Sequence, residues 1–393
     1  MNQSATIKLE EIMASKLGAV DPSKYPDEIF DLYSIPAFDR MQPEVVAGRD
    51  IGSAKQIVEP GDVLLSKIVP HIRRSWVVGE NRNRRIIASG EWIVFRDKRI
   101  YPEYLRQVLV GNPFHVQFMS TVSGVGGSLL RARPAHVSKI RIPLPPLPEQ
   151  HRIAEVLDCA EAIRAKRRRA LAKLDILAQS VFFDMFGDPA TNSKGWPESL
   201  TLGEVAEIVS GVTKGRNLDG KTTRMVPYLA VANVQDRALD LSAIKSIEAT
   251  EDEIQRYRLK PNDLLLTEGG DPDKLGRGTL WNDELPECIH QNHIFRVRLT
   301  SDKVSPLFLN WLVGGQRGKR YFLRSAKQTT GIASINMTQL RGFSLLLPPI
   351  ILQHEFARRV AVVDKLKAAH RASLTEMDAL FATLQYRAFQ GEL

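Results

Sequence analysis

Residues 142–188 read IPLPPLPEQHRIAEVLDCAEAIRAKRRRALAKLDILAQSVFFDMFGD, and the rest of the chain is arranged around them. Pro143, Pro145, Pro146 and Pro148 withhold backbone donors and keep the approach extended. Pro148 with Glu149 and Gln150 then suits a first helical turn, where a missing N–H removes nothing that would have been bonded. Apolar residues recur at Ile153, Leu157, Ala160, Ile163, Leu171, Leu174, Leu177 and Val181. Spacings of three and four with one longer gap predict a long helix with a seam for a second helix. Gly187-Asp188-Pro189 ends it.

The stretch occurs twice. A constant offset of 203 carries Pro145-Pro146 to Pro348-Pro349, Gln150-His151 to Gln353-His354, and Leu171 to Leu374. The eight seam positions become Phe356, Val360, Val363, Leu366, Leu374, Met377, Leu380 and Leu384, all apolar. Even the polar interruption recurs, because Arg164 and Arg167 correspond to Lys367 and His370. Composition alone does not produce a gapless repeat of this length, so the helix is read as duplicated.

The 393 residues suffice for two or three domains, and 43% hydrophobic with 25% charged residues is ordinary for a soluble globular protein. The first residues lack the apolar core of a signal peptide, and no run approaches eighteen apolar residues, so a cytoplasmic location away from membranes is expected. Cys159 and Cys288 lie far apart and are expected to be small, at least half-buried hydrophobes rather than disulfide or zinc ligands. Net charge is +9. Residues 1–143 hold 20 Lys+Arg against 15 Asp+Glu and residues 189–343 hold 21 against 18, while the two helical segments are nearly neutral. Such a surface suits a polyanion such as nucleic acid, and equally a merely basic protein.

The two large segments also repeat, more faintly. Pro60-Gly61-Asp62-Val63-Leu64-Leu65 answers Pro261-Asn262-Asp263-Leu264-Leu265-Leu266 at an offset of 201, and Pro102-Glu103-Tyr104-Leu105 answers Pro306-Leu307-Phe308-Leu309 at 204. Short β-branched runs parted by turn signals predict strands, with a helix over Pro102 to Val110. The expected order is a domain over 1–143, a central helix over 144–188, a second domain over 189–343 and a distal helix over 344–393. A helix of about 36 residues is roughly 50 Å long, too long for one small domain to bury, so its duplicate is the economical partner. Antiparallel packing would relate two unlike domains by an approximate two-fold axis, matching the pseudo-symmetry of a duplex with two half-sites.

With its duplicated PPLPEQ-type helix, its Pro-Gly-Asp-Leu-Leu-like strands and a Gly-Gly-rich approach to the proline run, the chain resembles the DNA-specificity subunit of type I restriction-modification systems. The resemblance spans the whole chain; the distal copy differs in having Ile351 and Leu352 for Pro148 and Glu149. It implies an α+β fold: two similar, mostly-β target-recognition domains separated by two long helices packed as an antiparallel coiled coil, with internal pseudo-two-fold symmetry. It implies a non-catalytic subunit that reads a bipartite target in double-stranded DNA across a non-specific gap. Methyltransferase subunits, two of them, would dock on the helices and restriction/translocase subunits would join through them. S-adenosylmethionine, ATP and Mg would belong to those partners, with no cofactor or metal in this chain. Candidate residues for the partner-subunit and helix interface are Pro145, Pro146, Pro148, Glu149, Gln150, Ile153, Leu157, Leu171 and Leu174, with Gln353, Phe356, Val360, Leu374 and Met377.

Arginine and asparagine make two-pronged contacts to base edges, and spare cations neutralise phosphates. In the first domain this points to His71, Arg73, Arg74, Asn81, Arg82, Asn83, Arg84 and Arg85, although a solvated basic hairpin has the same composition. The corresponding glycine-rich loop of the second domain, Thr267 to Gly278, offers Lys274 and Arg277 to phosphate or base, and Glu268, Asp271 or Asp273 to cytosine; a plain turn fits it as well. Further phosphate candidates are Lys214, Arg216, Arg317, Lys319, Arg320, Arg324 and Lys327. The run Arg164 to Arg169 would face the DNA gap, an acidic partner or solvent.

Catalytic signatures are missing. Gly314 to Arg320 has the wrong spacing for a phosphate loop, and Asn112-Pro113-Phe114 is one proline short of an amino-methyltransferase motif. Asp219-Gly220-Lys221 lacks the companion acid of a nuclease, and the histidines form no ligand-spaced cluster. The competing reading is a protein-interaction scaffold on a duplicated coiled coil, distinguished by its failure to retain DNA; a stand-alone nuclease would need metal-dependent cleavage by the chain alone.

Overall fold

In a computed structural model, which describes residues 5–14, 17–123, 130–271, 275–325, 327–329 and 332–393, the proline run feeds a helix over Leu147–Phe186. Neither glycine nor proline interrupts it after Pro148, and Gly187 ends it at φ 75°, a left-handed turn that glycine makes without steric cost. The distal helix spans Ile350–Gln390. It starts 203 residues after Leu147 although Ile351 and Leu352 replace Pro148 and Glu149, because Pro348-Pro349 still sets the entry, and Gly391 ends it at φ 76°.

The chain divides into two compact units, Met1–Ala170 with His370–Leu393, and Leu171–Ala369. Each unit therefore owns half of each long helix. In the first, Val63–Ser66 pairs antiparallel with both Ser75–Val77 and Trp92–Phe95. A second sheet orders its strands Ala19–Val20, Lys55–Ile57, Arg85–Ala88, Ile29–Tyr33 and Glu44–Ala47, with Ile29–Tyr33 parallel to Arg85–Ala88. The helix over Pro102–Val110 has the bounds that its sequence predicts. The main core joins Val63, Leu65, Phe95, Tyr104 and Leu105 to Ile153, Ala154 and Leu157 of the central helix and Ala388 of the distal one.

The second unit repeats the plan. Leu264–Thr267 lies between Gly278–Leu280 and Ile294–Leu299, and Ala206–Ser210 adds an edge strand that the first unit reduces to a bridge between Met13 and Phe95. Arg224–Leu229 runs parallel to Ile289–His290, as Ile29–Tyr33 does to its neighbour. The core here takes Ala178, Phe182, Met185 and Phe186 from the central helix and Phe356, Val360 and Val363 from the distal one. Phe182 stacks nearly parallel on Phe308 and Trp311, while Phe186 meets Phe308, Phe356 meets Trp311, and Phe356 meets Phe182 and Phe186 edge to face, all at centroid distances of 4.8 to 5.9 Å.

Within both units the helices pair antiparallel. In the first, Arg152 donates to the Leu393 carbonyl and Arg164 bridges Asp378 at 2.6 Å; in the second, Lys367 bridges Asp175 at 2.7 Å while Phe186 meets Phe356. Asp378 is the repeat counterpart of Asp175 and Lys367 that of Arg164, so the ion pair occurs twice with partners exchanged. Arg167 bonds His370, its own counterpart, at 2.7 Å. Exchanged partners and a self-pair are what a helix packed two-fold on its own duplicate produces. The predicted seam needs one correction: Ile163, Leu177, Leu366 and Leu380 are exposed. Arg164 takes the inward place beside Ile163, with its guanidinium 4.2 Å from the Phe381 ring centre. Cys288 is buried as expected, but Cys159 is exposed.

Candidate nucleic-acid interface

Each unit braces its central strands in the same way. Asp62, 1% exposed, takes both prongs of Arg96 at 2.6 and 2.7 Å and accepts from the Glu59 N–H. Asp263, equally buried, takes both prongs of Arg298 at 2.7 Å and accepts from the Lys260 N–H. A second brace involves residues assigned to the helix interface. Gln150 accepts from the Tyr101 N–H at 2.8 Å and donates to the carbonyls of Arg99 and Pro145. Gln353 accepts from Ser305 N–H at 2.8 Å and donates to those of Lys303 and Pro348. Both are fully buried. The motif glutamine thus pins each long helix to the loop before the domain's own helix, and is unavailable to a partner.

At the opposite end of the central strands lies an edge that the units share in backbone but not in side chains. In the first, Lys67 N–H bonds the Glu91 carbonyl at 3.0 Å, Ala132 N–H bonds the Lys67 carbonyl, and Ile68 bridges Arg131. In the second, Glu268 N–H bonds the His293 carbonyl at 3.0 Å, Ile335 N–H bonds the Glu268 carbonyl, and Gly269 pairs with Ser334. The side chains are Lys67, Glu91 and Arg131 in one frame, with Glu91 4.0 and 3.3 Å from the two cations. In the other they are Glu268, His293 and Ser334, where His293 Nδ1 donates to Glu268 at 2.6 Å. Sequence reading singled out Glu268 but missed the others; extending the offsets of 201 to 203 to charged positions would have paired them.

Most of the arginines proposed to touch DNA in the first domain are engaged within it. Arg73 donates to Asn112 at 2.6 Å and to the Val110 carbonyl, and Arg74 reaches Asp39 with its side chain largely covered. Arg84 bonds the buried Asp31 at 2.8 Å, and Arg85 bonds Glu28 while lying over the rings of Tyr25 and Phe30. His71, Asn81, Arg82 and Asn83 are exposed. Asn83 sits at φ 61° in a tight turn, a backbone state that asparagine tolerates.

In the second domain Arg216 is fully engaged: it grips Glu253 at 2.5 and 2.7 Å, holding that carboxyl below its usual range, and donates to the carbonyls of Thr213 and Glu248. Lys214 is exposed over the Tyr228 ring. Arg277 is half-buried and bonds Gln235 at 3.1 Å. Asp273 and Lys274 lie outside the described residues, as does the side chain of Lys327, whose backbone forms an edge strand. Lys319, Arg320 and Arg324 are exposed, and the two arginines line a shallow cleft with Tyr321, Phe343 and Ser344. Arg317 at its floor is anchored by Glu198 at 2.5 Å and by the Ser344 carbonyl.

Of the helix-interface residues, Ile153, Leu157, Phe356 and Val360 are core, Leu171, Leu174, Leu374 and Met377 are half-buried, and Pro146 and Pro148 are exposed. Pro145 is half-buried, as is Glu149, which pairs with Arg152 at 2.7 Å. His151 and His354 are both exposed; His151 stacks on Tyr101 at 3.8 Å, and His354 lines a cleft with Ser305. In the basic run, Arg164 and Arg168 share Asp378 and Glu161, and Lys166 and Arg169 are exposed.

Two unlike α+β units built on one plan, each holding half of a self-paired helix duplex and each presenting a different polar edge, define a recognition scaffold made by internal duplication. Known proteins narrow the class. Residues 194–376 match the family described as Type I restriction modification DNA specificity domain. The StySPI specificity subunit of a type I restriction enzyme from Salmonella potsdam is 25% identical over 371 residues, 89% of this chain and 78% of its own length. A chain from a structural study of complex assembly and conformational transition in the type I R-M system aligns over 100% of this chain and 99% of its own, 20% identical with TM-score 0.56. The type I S subunit from M. genitalium aligns over 99% and 96%, 12% identical, also with TM-score 0.56; these two likenesses speak to the fold. The family match over the second unit and the curated relatives support a specificity subunit of a type I restriction-modification system, and the relatives so named are non-catalytic subunits. Among the described residues, no helix is long and apolar enough to cross a membrane.

Proposed function

We propose that the chain reads a split sequence in duplex DNA, one half with each unit, and presents the bound duplex to partner subunits that carry out the chemistry. The observation that carries this reading is a shared brace at one end of the central strands and an unshared edge at the other: Asp62–Arg96 and Asp263–Arg298 repeat bond for bond, while the groups at the opposite end change from Lys67 and Arg131 to Glu268 and Ser334. Two heads of one design with different reading groups suit a target whose halves differ. The gap between the halves is set by the helices and is not read.

Two methyltransferase subunits dock on the long helices, and restriction/translocase subunits join through them. Repeat-equivalent apolar side chains left exposed on both helices, Ile163 with Leu366, Leu177 with Leu380 and Phe183 with Tyr386, support two like docking places. S-adenosylmethionine, ATP and Mg belong to those partners, and the assembly works in the cytoplasm, where the DNA is.

The test is selection. Random duplexes retained by the full chain, with whatever subunits co-purify, are sequenced at fixed salt, since affinity for nucleic acid falls steeply as salt rises. A two-part, non-palindromic consensus with one gap length is expected. No retained DNA even at low salt would favour a protein-interaction scaffold instead.

A further inference from the structure

We propose that Glu268 and His293 in the second unit, and Lys67 and Arg131 in the first, are specificity-determining residues that read base edges, one set for each half of the target. The proposal rests on the duplex-reading function above and assigns it to particular groups.

Three observations converge on these positions. The backbone frame is the same in both units: N–H to carbonyl links of 3.0 Å join residue 67 to 91 and residue 268 to 293, and a strand pairing places residue 131 or 334 beside them. On that common frame the chemistry is opposite. Lysine and arginine side chains only donate, and an ionised glutamate only accepts. By contrast, the opposite end of the same strand pairs keeps both residue type and bonding, as Asp62 with Arg96 and Asp263 with Arg298 do.

The side chains also lack a large structural task. Arg131 is 62% exposed and His293 55%, while Lys67 and Glu268 keep 26% and 32% of their side chains in solvent, and the links among them are partly exposed ion pairs or hydrogen bonds. Exposed pairs of this kind contribute about 0–1 kcal/mol to stability. They do, however, hold the reading groups in place before binding, which lowers the ordering cost of a contact. Glu91 acts here as a positioning residue between Lys67 and Arg131.

The chemistry then specifies what each frame accepts. Lys67 and Arg131 suit the O6 and N7 acceptors of guanine, whereas Glu268 suits an exposed amino group, cytosine N4 or adenine N6. His293, which gives its Nδ1 hydrogen to Glu268, keeps Nε2 near the Asn292 amide at 3.4 Å, leaving a small polar cluster rather than a lone carboxylate.

The experiment is selection from random duplexes with the full chain and its co-purifying subunits, comparing wild type with Glu268→Ala, Glu268→Lys and Lys67→Ala. Glu268→Ala is expected to lose discrimination at one base of one half by roughly ten-fold or more, with the other half untouched. Lys67→Ala is expected to do the same in the opposite half, and Glu268→Lys to bring a guanine preference into the half that Glu268 reads. Thermal melting of each variant within a few degrees of wild type shows that folding is not the cause, and Glu268→Gln supplies a milder change at the same place. Unchanged consensus in both halves, or uniform weakening across both, overturns the assignment while leaving the split-site reading standing. A wild-type chain that selects no split sequence overturns that reading and this assignment with it.

Discussion

Gln150 and Gln353 show how a residue repeated for structural reasons can look like a docking signal. Each satisfies a buried N–H and two carbonyls from a position with no access to solvent. Replacing Gln150 by Leu leaves those three groups without partners, and a loss of roughly 3 kcal/mol is expected from denaturant unfolding, since each stranded polar group costs about 1–3 kcal/mol. A loss below about 0.5 kcal/mol, the size of an ordinary surface change, would contradict the staple. His290 gives a pH-dependent counterpart. It is fully buried, donates from Nδ1 to the Ile294 carbonyl at 2.9 Å, and finds no partner at Nε2 among the described residues; burial pushes its pKa down to about 4. The unfolded chain takes up a proton near pH 6.5 that the folded chain refuses. Stability is therefore complete above about 6.5 and declines as pH falls from there toward 4, by up to about 3 kcal/mol. His290→Phe should flatten this part of the melting-temperature profile between pH 7 and 5; an equally steep profile would assign the decline to other groups.

At the scale of elements, the aromatic cluster where the two helices meet the second unit is the natural target. Phe356 is fully buried against Phe182, Phe186 and Trp311. Phe356→Ala is expected to cost about 3–5 kcal/mol by denaturant unfolding, and a cost under about 1 kcal/mol would mean that the packing collapses to fill the space. The long helices and the strand at Leu264–Thr267 were legible in the sequence because proline entry, seam spacing and a constant offset are local signals. Which seam positions face inward was not legible. Ile163 and Leu177 satisfy the period, but Arg164 takes the inward place by pairing with Asp378 and covering Phe381, partners more than 200 residues away. The candidate site was less legible for the same reason. Nothing near Arg84 or Arg216 in sequence shows that Asp31 and Glu253 fold against them, so composition marked as DNA-facing several arginines that bind their own domain. Glu268 and Lys67 stand out only when the two units are compared.

For the whole molecule, internal duplication replaces a symmetric dimer with one chain whose two heads are free to diverge. The helix pair retains the dimer's logic, since Arg164–Asp378 recurs as Lys367–Asp175 and Arg167 meets its own counterpart His370. On the proposed reading this pair acts as the ruler between half-sites. Its most direct test is a matched deletion of seven residues from both helices, 164–170 and 367–373, followed by sequencing of the random duplexes that the shortened chain selects. Removing one heptad takes out about 10.5 Å of helix, or about three base pairs of duplex. A gap shortened by about that much with both half-site sequences unchanged is the predicted result. An unchanged gap, or altered half-sites in a chain that still folds, would contradict it.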